Sequence, residues 1–320
     1  MRRRQHRRER TVGLLPLIGS ALVLPMGRTL LIEWPGCFVL RHWLLVGTFL
    51  CAFNPASGAS LTNVRSGTFI IPPLRGQAAS NQLEFLERLR HWPKKVEWEV
   101  RTFVAAPRGE EFMRYLLFKP KELSAGTNFP LVLSLHGGGP RRKFEHLLEP
   151  YAPGFAYGLG RLVSDGTQTN HPSFVVAPWS NEGGWDDENL RLVLGIMASL
   201  QKRFPIDTNR VYVTGQSMGG WGTWSLITKR PDLFAAAVPI CGGGDPDDAP
   251  RAKDLPIWAF HGSADGVVSV DYTRDMIAAL RRVNADPIYW EYRDGTHADT
   301  AERAYCEPEL IEWMFAQAKQ

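Results

Sequence analysis

The sequence predicts an α/β fold in which helices flank both faces of a mostly parallel central sheet. Short and continuously apolar segments, such as Leu131–Leu135 and Phe174–Ala177, are typical of strands that are buried on both faces. Segments with apolar residues at helical spacing, such as Asp187–Phe204, lie between the strand candidates. Strands that alternate with helices along a chain favour parallel pairing through right-handed crossover connections.

The individual elements follow from the same two patterns. An amphipathic helix is predicted for Asn81–Trp92, because three leucines share one face and Pro93 ends it. The predicted strands are Val96–Phe103, Phe112–Phe118, Leu131–Leu135, Phe174–Ala177, Val211–Thr214, Ala236–Ile240, Ile257–Phe260 and Ile288–Tyr292. The other predicted helices are Asp187–Phe204, Met218–Thr228, Val270–Val283 and Ala301–Ala318.

Length and composition are those of a globular protein. The 320 residues are 44% hydrophobic and 22% charged, which excludes the disordered and fibrous classes. No repeat, low-complexity tract or linker interrupts residues 95–320, so we expect one domain there, preceded by an N-terminal extension at 60–94. The formal net charge is +4, but eight of the 37 basic residues are arginines within residues 1–59. The rest of the chain is nearly neutral, which gives no support to nucleic-acid binding.

Residues 1–59 have the pattern of a targeting segment. A basic run at 1–10 and an apolar run at His42–Phe53 are followed by small residues up to Ala59, which is the order found in secretory signal peptides. The apolar run is shorter than the roughly 20 residues that span a bilayer. We therefore expect export to the periplasm or the extracellular space, with Met26 as one alternative start. The other alternative is an uncleaved segment that anchors the protein to a membrane.

The cysteines do not have the spacing of a metal site. Cys37 and Cys51 lie in the N-terminal segment, and the remaining two, Cys241 and Cys306, are far apart in sequence. No CxxC motif or cysteine–histidine cluster occurs, so we do not expect a zinc site. Neither another metal ion nor an organic cofactor is expected. Cys241 and Cys306 are either buried free thiols or a pair that the fold brings together.

The strongest chemical signal is the segment Gly215-Gln-Ser-Met-Gly219, which matches G-x-S-x-G. It follows an apolar strand and precedes a helix candidate, which is where a nucleophilic serine is presented on a sharp turn. The motif predicts Ser217 as nucleophile and the backbone N–H of Met218 as a donor to a developing oxyanion. An ordinary glycine turn with a capping serine is the alternative interpretation.

A glycine-rich loop supplies the second half of this predicted oxyanion hole. His136-Gly-Gly-Gly139 follows the strand Leu131–Leu135 directly, and glycines allow the backbone to approach a substrate carbonyl. Either Gly137 or Gly138 is the expected donor, and the sequence does not choose between them.

A serine hydroxyl needs a general base, and the base needs an orienting acid. Only His261 and His297 follow Ser217, and the chain order serine, acid, histidine selects His297, which we place in a loop after the last predicted strand. Asp265 is the predicted acid because it closely follows the strand Ile257–Phe260. We expect His261 to be a structural partner of the acid's loop. The rival acids are Asp245, Asp247, Asp248, Asp271 and Asp275.

The sequence resembles the α/β-hydrolase superfamily. The matching stretches are FPLVLSLHGGG (129–139), IDTNRVYVTGQSMGGWGTW (206–224), LPIWAFHGSADGVVSV (255–270) and GTHADTAERAYCEPELIEWMF (295–315). The resemblance is closest to secreted esterases: polyhydroxybutyrate depolymerases, feruloyl and acetyl xylan esterases, and phospholipase/carboxylesterase-like enzymes. It implies the α/β-hydrolase fold and a serine esterase that acts through an acyl-enzyme.

The resemblance leaves the substrate open. A small or a polymeric ester is expected, without nucleic acid and without stable membrane insertion if the N-terminal segment is cleaved. Trp179, Trp185 and Trp221 are candidates for the substrate pocket, and an ordinary core or surface position is the alternative for each. The alternative functions are a peptidase of the prolyl-oligopeptidase type, an acyltransferase and an inactive polymer-binding protein. Acyl and alcohol specificity, the mature N-terminus and the oligomeric state do not follow from the sequence.

Overall fold

The computed structural model describes residues 66–73, 97–105, 111–138, 144, 156–180 and 184–319. Nine strands form one sheet within these residues. They are β1 (Gly67–Ile71), β2 (Glu99–Val104), β3 (Phe112–Phe118), β4 (Phe129–Leu135), β5 (Phe174–Pro178), β6 (Ile206–Gln216), β7 (Ala236–Ile240), β8 (Trp258–Gly262) and β9 (Ile288–Tyr292).

The order of the strands across the sheet is β1-β9-β8-β7-β6-β4-β5-β3-β2. Strand β3 pairs antiparallel with both β2 and β5, and every other neighbouring pair is parallel. This confirms the prediction of a mostly parallel sheet. The chain moves outward from β4 in both directions, so the carboxyl ends of β4, β6, β7, β8 and β9 meet along one edge, which is where open α/β sheets bind ligands.

Seven α-helices belong to the described residues. They are α1 (Ala156–Val163), α2 (Asp165–Asn170), α3 (Asp187–Arg203), α4 (Met218–Lys229), α5 (Val270–Arg282), α6 (His297–Cys306) and α7 (Pro308–Phe315). Two short 3₁₀ helices, Pro231–Leu233 and Ala249–Ala252, lie in the connections on either side of β7.

The core lies in two layers, one on each face of the sheet. Leu131 and Leu133 of β4 pack on the face covered by α3, α4 and α5. Val132, between them, packs on the opposite face with α1, α6 and α7. Successive side chains of a strand point to opposite faces, so a strand buried on both faces is apolar at every position. All seven residues of β4 are accordingly buried.

All eight predicted strands are present, with ends that differ by a few residues. Strand β1 was not predicted, because most of its residues are exposed on the sheet edge and its apolar run is short. It lies within the segment 60–94 and pairs parallel with β9, so this part of the extension adds an edge strand. The division of the chain at residue 95 stays a prediction. Residues 1–59 and the predicted helix Asn81–Trp92 lie outside the described residues.

The prediction of one helix over Ala301–Ala318 is wrong. Helix α6 ends at Cys306, Glu307 has an extended backbone, and α7 begins at Pro308. A proline cannot donate the backbone hydrogen bond of a helix interior, and it disfavours helical geometry in the residue before it. Helices α1 and α2 were not predicted at all.

Two further sequence questions are answered within the described residues. Cys241 and Cys306 are free thiols, so the two do not form a disulfide. None of the helices in the described ranges combines the length and the apolar character that a bilayer span requires.

The junction of α6 and α7 predicts a pH-dependent stability. The hydroxyl of Tyr292 donates to the carboxyl of Glu307 at 2.8 Å, and burial raises the pKa of Glu307 to about 7. The folded state therefore binds more protons than the unfolded state between the ordinary pKa of 4.5 and about 7, so stability falls as pH rises through this range. We expect Glu307→Gln to stabilise the protein by about 1–2 kcal/mol at pH 8 and much less at pH 4.5.

Urea unfolding at the two pH values measures this difference. Glu302→Gln removes a carboxylate from α6, the helix that ends just before Glu307, and is the matched control. An equal effect of Glu307→Gln at both pH values would contradict the linkage.

Candidate active site

Ser217 occupies the turn between β6 and α4 with strained backbone geometry. Its φ of 55° and ψ of −120° lie in a region that non-glycine residues rarely adopt. Such geometry costs on the order of 1–3 kcal/mol and persists only where surrounding contacts enforce it. Here the N–H of Ser217 donates to the carbonyl of Ile240 at 2.9 Å, and its own carbonyl accepts from Trp221 N–H at 3.0 Å.

The two glycines of the motif are required by close backbone contacts. A Cβ at Gly219 would lie 2.0 Å from the carbonyl oxygen of Leu135, and a Cβ at Gly215 would lie 2.4 Å from that of Gly219. Neither backbone atom can move aside as the end of a flexible side chain could. The end of β4, the end of β6 and the first turn of α4 therefore meet without any side chain between them.

His297 is the first residue of α6, rather than part of a loop as the sequence predicted. Thr296 caps the helix by accepting a hydrogen bond from Asp299 N–H. The ring Nε2 lies 2.9 Å from Ser217 Oγ, and Nδ1 lies 2.6 Å from Asp265 Oδ2. A carboxylate can only accept, so the Nδ1 proton faces Asp265 and Nε2 is free to accept the serine proton.

Asp265 is held as an ion by backbone donors. Its side chain is completely buried, and Oδ1 accepts from the N–H groups of Val267 and Val268, both at 2.9 Å. Burial by itself would raise the pKa of Asp265. The Val268 N–H, the His297 ring and the Val267 N–H together outweigh burial and hold the pKa below its usual value.

The loops that carry the acid and the histidine are bonded to each other. Ser263 N–H donates to Tyr292 carbonyl at 2.9 Å, and Ala264 N–H donates to Gly295 carbonyl at 3.0 Å. The structure thus brings together the three residues that the sequence predicted, from the connections that follow β6 and β8 and from the first residue of the helix after β9. Of the rival acids, Asp271 forms a surface ion pair with Arg274 instead.

His136 fixes the glycine loop after β4, which the sequence reasoning did not foresee. Its Nε2 accepts from Ser180 N–H at 3.1 Å, so the ring proton is on Nδ1 and donates to the Gly137 carbonyl at 2.9 Å. The ring lies between those of Trp179 and Trp185, with centroid distances of 4.7 and 4.9 Å. The sequence showed only that His136 is followed by glycines. The contacts of its ring with Trp179, Ser180 and Trp185 could not be predicted, because those residues lie about 45 positions further along the chain.

The loop and the nucleophile are neighbours. A Cβ at Gly137 would lie 3.4 Å from Ser217 Cβ, and a Cβ at Gly138 would lie 3.7 Å from Met218 Cβ. Gly139 lies outside the described residues. Both predicted sources of oxyanion donors are therefore beside Ser217.

The three tryptophans have different environments. Trp185 is 7% exposed and its Nε1–H donates to the His136 carbonyl at 2.9 Å, so it supports the glycine loop from the core. Trp179 is partly exposed and packs on His136 from the other side. Trp221 is partly exposed and packs edge-on against the half-exposed Tyr272, with ring centroids 4.9 Å apart. Trp221 is the candidate that lies beside both Ser217 and open solvent.

Cys241 lies buried beneath the histidine and the acid. Its thiol donates weakly to the His297 carbonyl at 3.7 Å, and burial raises its pKa well above the ordinary value. Within the described residues, Cys241, Asp265 and His297 form the one cluster of potential metal-binding side chains, with ligand atoms that all lie within 4.8 Å of one another. The Nδ1–Oδ2 hydrogen bond already engages two of these ligands.

Comparisons with known proteins find similarity to esterases. A solved structure of a thermostable esterase is 34% identical and has a TM-score of 0.61, with 69% of this chain and 63% of that chain covered. Feruloyl esterase D of Neurospora crassa is 27% identical over 190 residues, which cover 57% of this chain and 64% of that protein. The chain has the α/β-hydrolase fold.

Other similarities of this α/β-hydrolase are partial. A bifunctional acetylxylan esterase/xylanase of Neocallimastix patriciarum is 29% identical over 168 residues, which cover 52% of this chain and 23% of that protein. The family model of the prolyl oligopeptidase family matches residues 180–249. The chain spans less than two thirds of the length of each of the three relatives, the thermostable esterase, feruloyl esterase D and the acetylxylan esterase/xylanase.

The glycine contacts predict the effect of a single methyl group on this α/β-hydrolase. We expect Gly219→Ala to destabilise the protein by about 3 kcal/mol or more, because the added Cβ overlaps the backbone of β4. Gly166→Ala is the matched control: its Cβ meets nothing within 4 Å, and its stability should change by less than about 1 kcal/mol. Urea unfolding of both variants measures the difference, and similar values for the two would disprove the packing argument.

Proposed function

We propose that this protein is a serine esterase that hydrolyses carboxylic esters through an acyl-enzyme. The observation that carries the proposal is the continuous hydrogen-bonded line Ser217 Oγ, His297 Nε2, His297 Nδ1 and Asp265 Oδ2, with links of 2.9 and 2.6 Å. A nucleophile within hydrogen-bond reach of a base that is itself oriented by an acid is the arrangement that activates a hydroxyl.

The proposed reaction has two halves. Ser217 Oγ attacks the ester carbonyl carbon while His297 Nε2 takes the serine proton. The tetrahedral intermediate then collapses, and His297 gives that proton to the departing alcohol. A water molecule, deprotonated by His297, attacks the acyl-enzyme and releases the acid, and the proton returns to Ser217. Asp265 stays ionised throughout and stabilises the imidazolium that forms in each half.

Two backbone N–H groups are the proposed oxyanion donors. Met218 is the first residue of α4, and the first N–H groups of a helix have no partner within it. For the second donor we favour Gly138 over Gly137. The Gly137 carbonyl faces the His136 ring, and the N–H across a trans peptide points the opposite way. Gly138 N–H therefore points away from His136.

The proposed substrate class is a carboxylic ester with an aromatic or extended apolar group. Feruloyl and acetylxylan esterases among the relatives support ester chemistry, and the Trp221–Tyr272 pair offers an aromatic surface one helical turn from Ser217. Small and polymeric esters both fit this description.

A panel of p-nitrophenyl and feruloyl esters tests the proposal. We expect measurable hydrolysis by the wild type and a loss of at least about 10³-fold in kcat for Ser217→Ala, because the nucleophile is removed. Ser225→Ala, two turns further along α4, is the control and should retain activity. A fluorophosphonate probe should label the wild type and not Ser217→Ala. Activity that survives Ser217→Ala would overturn the assignment.

The match to the prolyl oligopeptidase family makes a peptidase the second candidate. The hydrogen-bonded relay of Ser217, His297 and Asp265 serves ester and peptide hydrolysis alike. The two reactions differ in the leaving group, which is an alcohol for an ester and an amine for a peptide. Adding peptidyl p-nitroanilides to the panel separates them: turnover of these anilides that is lost in Ser217→Ala would favour the peptidase, and hydrolysis of esters alone would favour the esterase. Transfer of the acyl group to added alcohols would indicate an acyltransferase, and failure to react with the probe would indicate a binding protein.

We also propose export, followed by cleavage near Ala59. The support is the order of basic, apolar and small residues in the sequence. Mass spectrometry of the protein recovered from a secreting host should find a mature N-terminus shortly after Ala59. An intact N-terminal segment in the membrane fraction would favour the anchor instead.

A further inference from the structure

A second histidine, His261, touches the acid of the relay and has no part in the proposed reaction. It is the fourth residue of β8 and its side chain is completely buried. Its Nε2 lies 3.1 Å from the Val268 carbonyl and 3.3 Å from Asp265 Oδ2. Both neighbours are acceptors, so the Nε2 atom carries a proton that it shares between them.

The other ring nitrogen ties His261 to the surrounding elements. With its proton on Nε2, the ring has an acceptor at Nδ1, which lies 2.7 Å from the hydroxyl of Thr273 in α5. That hydroxyl also lies 2.6 Å from the Gly242 carbonyl after β7, so its single proton is shared between these two acceptors. The ring is therefore held on both sides and cannot rotate without losing a buried hydrogen bond, which costs about 1–3 kcal/mol.

The contact with His261 adds to the hydrogen bonds around the carboxylate of Asp265. Oδ1 of Asp265 accepts from two backbone N–H groups, which belong to its own loop. Oδ2 accepts from His297, whose ring must exchange protons with serine and substrate. His261 is the donor to Oδ2 that stays fixed during this exchange.

We propose that His261 is a positioning residue whose Nε2–H holds Oδ2 of Asp265 in place for its hydrogen bond with His297. This proposal rests on the proposed esterase function, because His261 would act on the reaction only through Asp265 and His297. Four residues separate His261 from Asp265, so one short loop carries both the acid and the group that orients it.

The charges around His261 agree with a neutral donor. Glu291 faces it from the neighbouring strand β9 and is neutralised by a two-point ion pair with Arg274. Burial lowers the pKa of His261, against the opposing influence of Val268 carbonyl and Asp265. A neutral N–H donor orients the carboxylate and leaves its negative charge available to His297.

Two substitutions separate the positioning role from a merely structural one. The amide nitrogen of glutamine stands three bonds from Cβ, as Nε2 of histidine does, whereas that of asparagine stands only two bonds away. We expect His261→Gln to keep kcat within about 3-fold of the wild type. His261→Asn should lower kcat by about 10- to 100-fold with little change in KM, because the acid loses its fixed donor.

The control is His171→Asn, which removes a partly buried histidine outside the relay, one that bonds Glu312 at 2.9 Å and stacks on Phe315. Activities are corrected for the folded fraction from urea unfolding. Equal kcat losses for His261→Gln and His261→Asn, or none for either, would refute the positioning role.

A spectroscopic readout keeps this test independent of the proposed function. At low pH the Nδ1 proton of His297 should give a strongly downfield proton NMR signal, because it lies in the 2.6 Å bond to Asp265. We expect His261→Asn to shift or broaden this signal and His261→Gln to preserve it. Should the wild type hydrolyse no ester, the esterase proposal fails while the signal still decides the role of His261. An unchanged signal in His261→Asn would contradict that role.

Discussion

The carbonyl of Leu135 lies so close to Gly219 that no side chain fits between the end of β4 and the first turn of α4. The glycine loop begins directly after β4, and α4 begins directly after Ser217. This single backbone contact therefore determines the distance between the proposed nucleophile and the proposed oxyanion donors. The hydrogen bond from Ser217 N–H to Ile240 adds β7 as a second support, which keeps the strained turn from relaxing.

Two buried histidines stabilise opposite ends of the site. His136 binds the Gly137 carbonyl and is packed between two tryptophan rings, so it orients the glycine loop. His261 binds the acid loop through Asp265 and Val268. His297 alone among the three is partly exposed, with 22% of its side chain accessible. The histidine that exchanges protons is thus the one in contact with solvent, and the two fully packed histidines hold the backbone around it.

The sequence predicted the parts of the molecule that depend on local patterns. Eight strands, the turn at Ser217 and the choice of His297 and Asp265 follow from apolar runs, a five-residue motif and chain order. Strand β1 was not predicted, because an exposed edge strand lacks the continuous apolar run of a central strand. The break before Pro308 was missed because the apolar periodicity continues on both sides of it, from α6 into α7. The position of His297 at a helix start depended on Thr296 as a cap, which the loop interpretation overlooked.

Features that depend on distant residues could not be predicted in this way. The ring of His136 meets Ser180 and Trp185, more than 40 residues later, and the role of Trp185 as support follows from that contact. Thr273 contacts His261 from helix α5, so the hydrogen-bond partners of this ring follow only from the fold. Such contacts leave no periodic or motif signal in the chain.

The electrostatic problem of the site is the burial of one carboxylate. A buried carboxylate is costly unless hydrogen bonds replace its lost hydration. Asp265 receives them from Val267, Val268 and His297, which together leave it ionised within a completely buried side chain. His261 Nε2 lies a further 3.3 Å from Oδ2. A second cation beside it would cancel the charge that the relay needs when His297 becomes an imidazolium. A neutral histidine offers an N–H to a lone pair of Asp265 Oδ2 without placing a positive charge beside the carboxylate. Burial lowers the pKa of His261 and so favours this neutral form, whereas lysine or arginine would add a positive charge there.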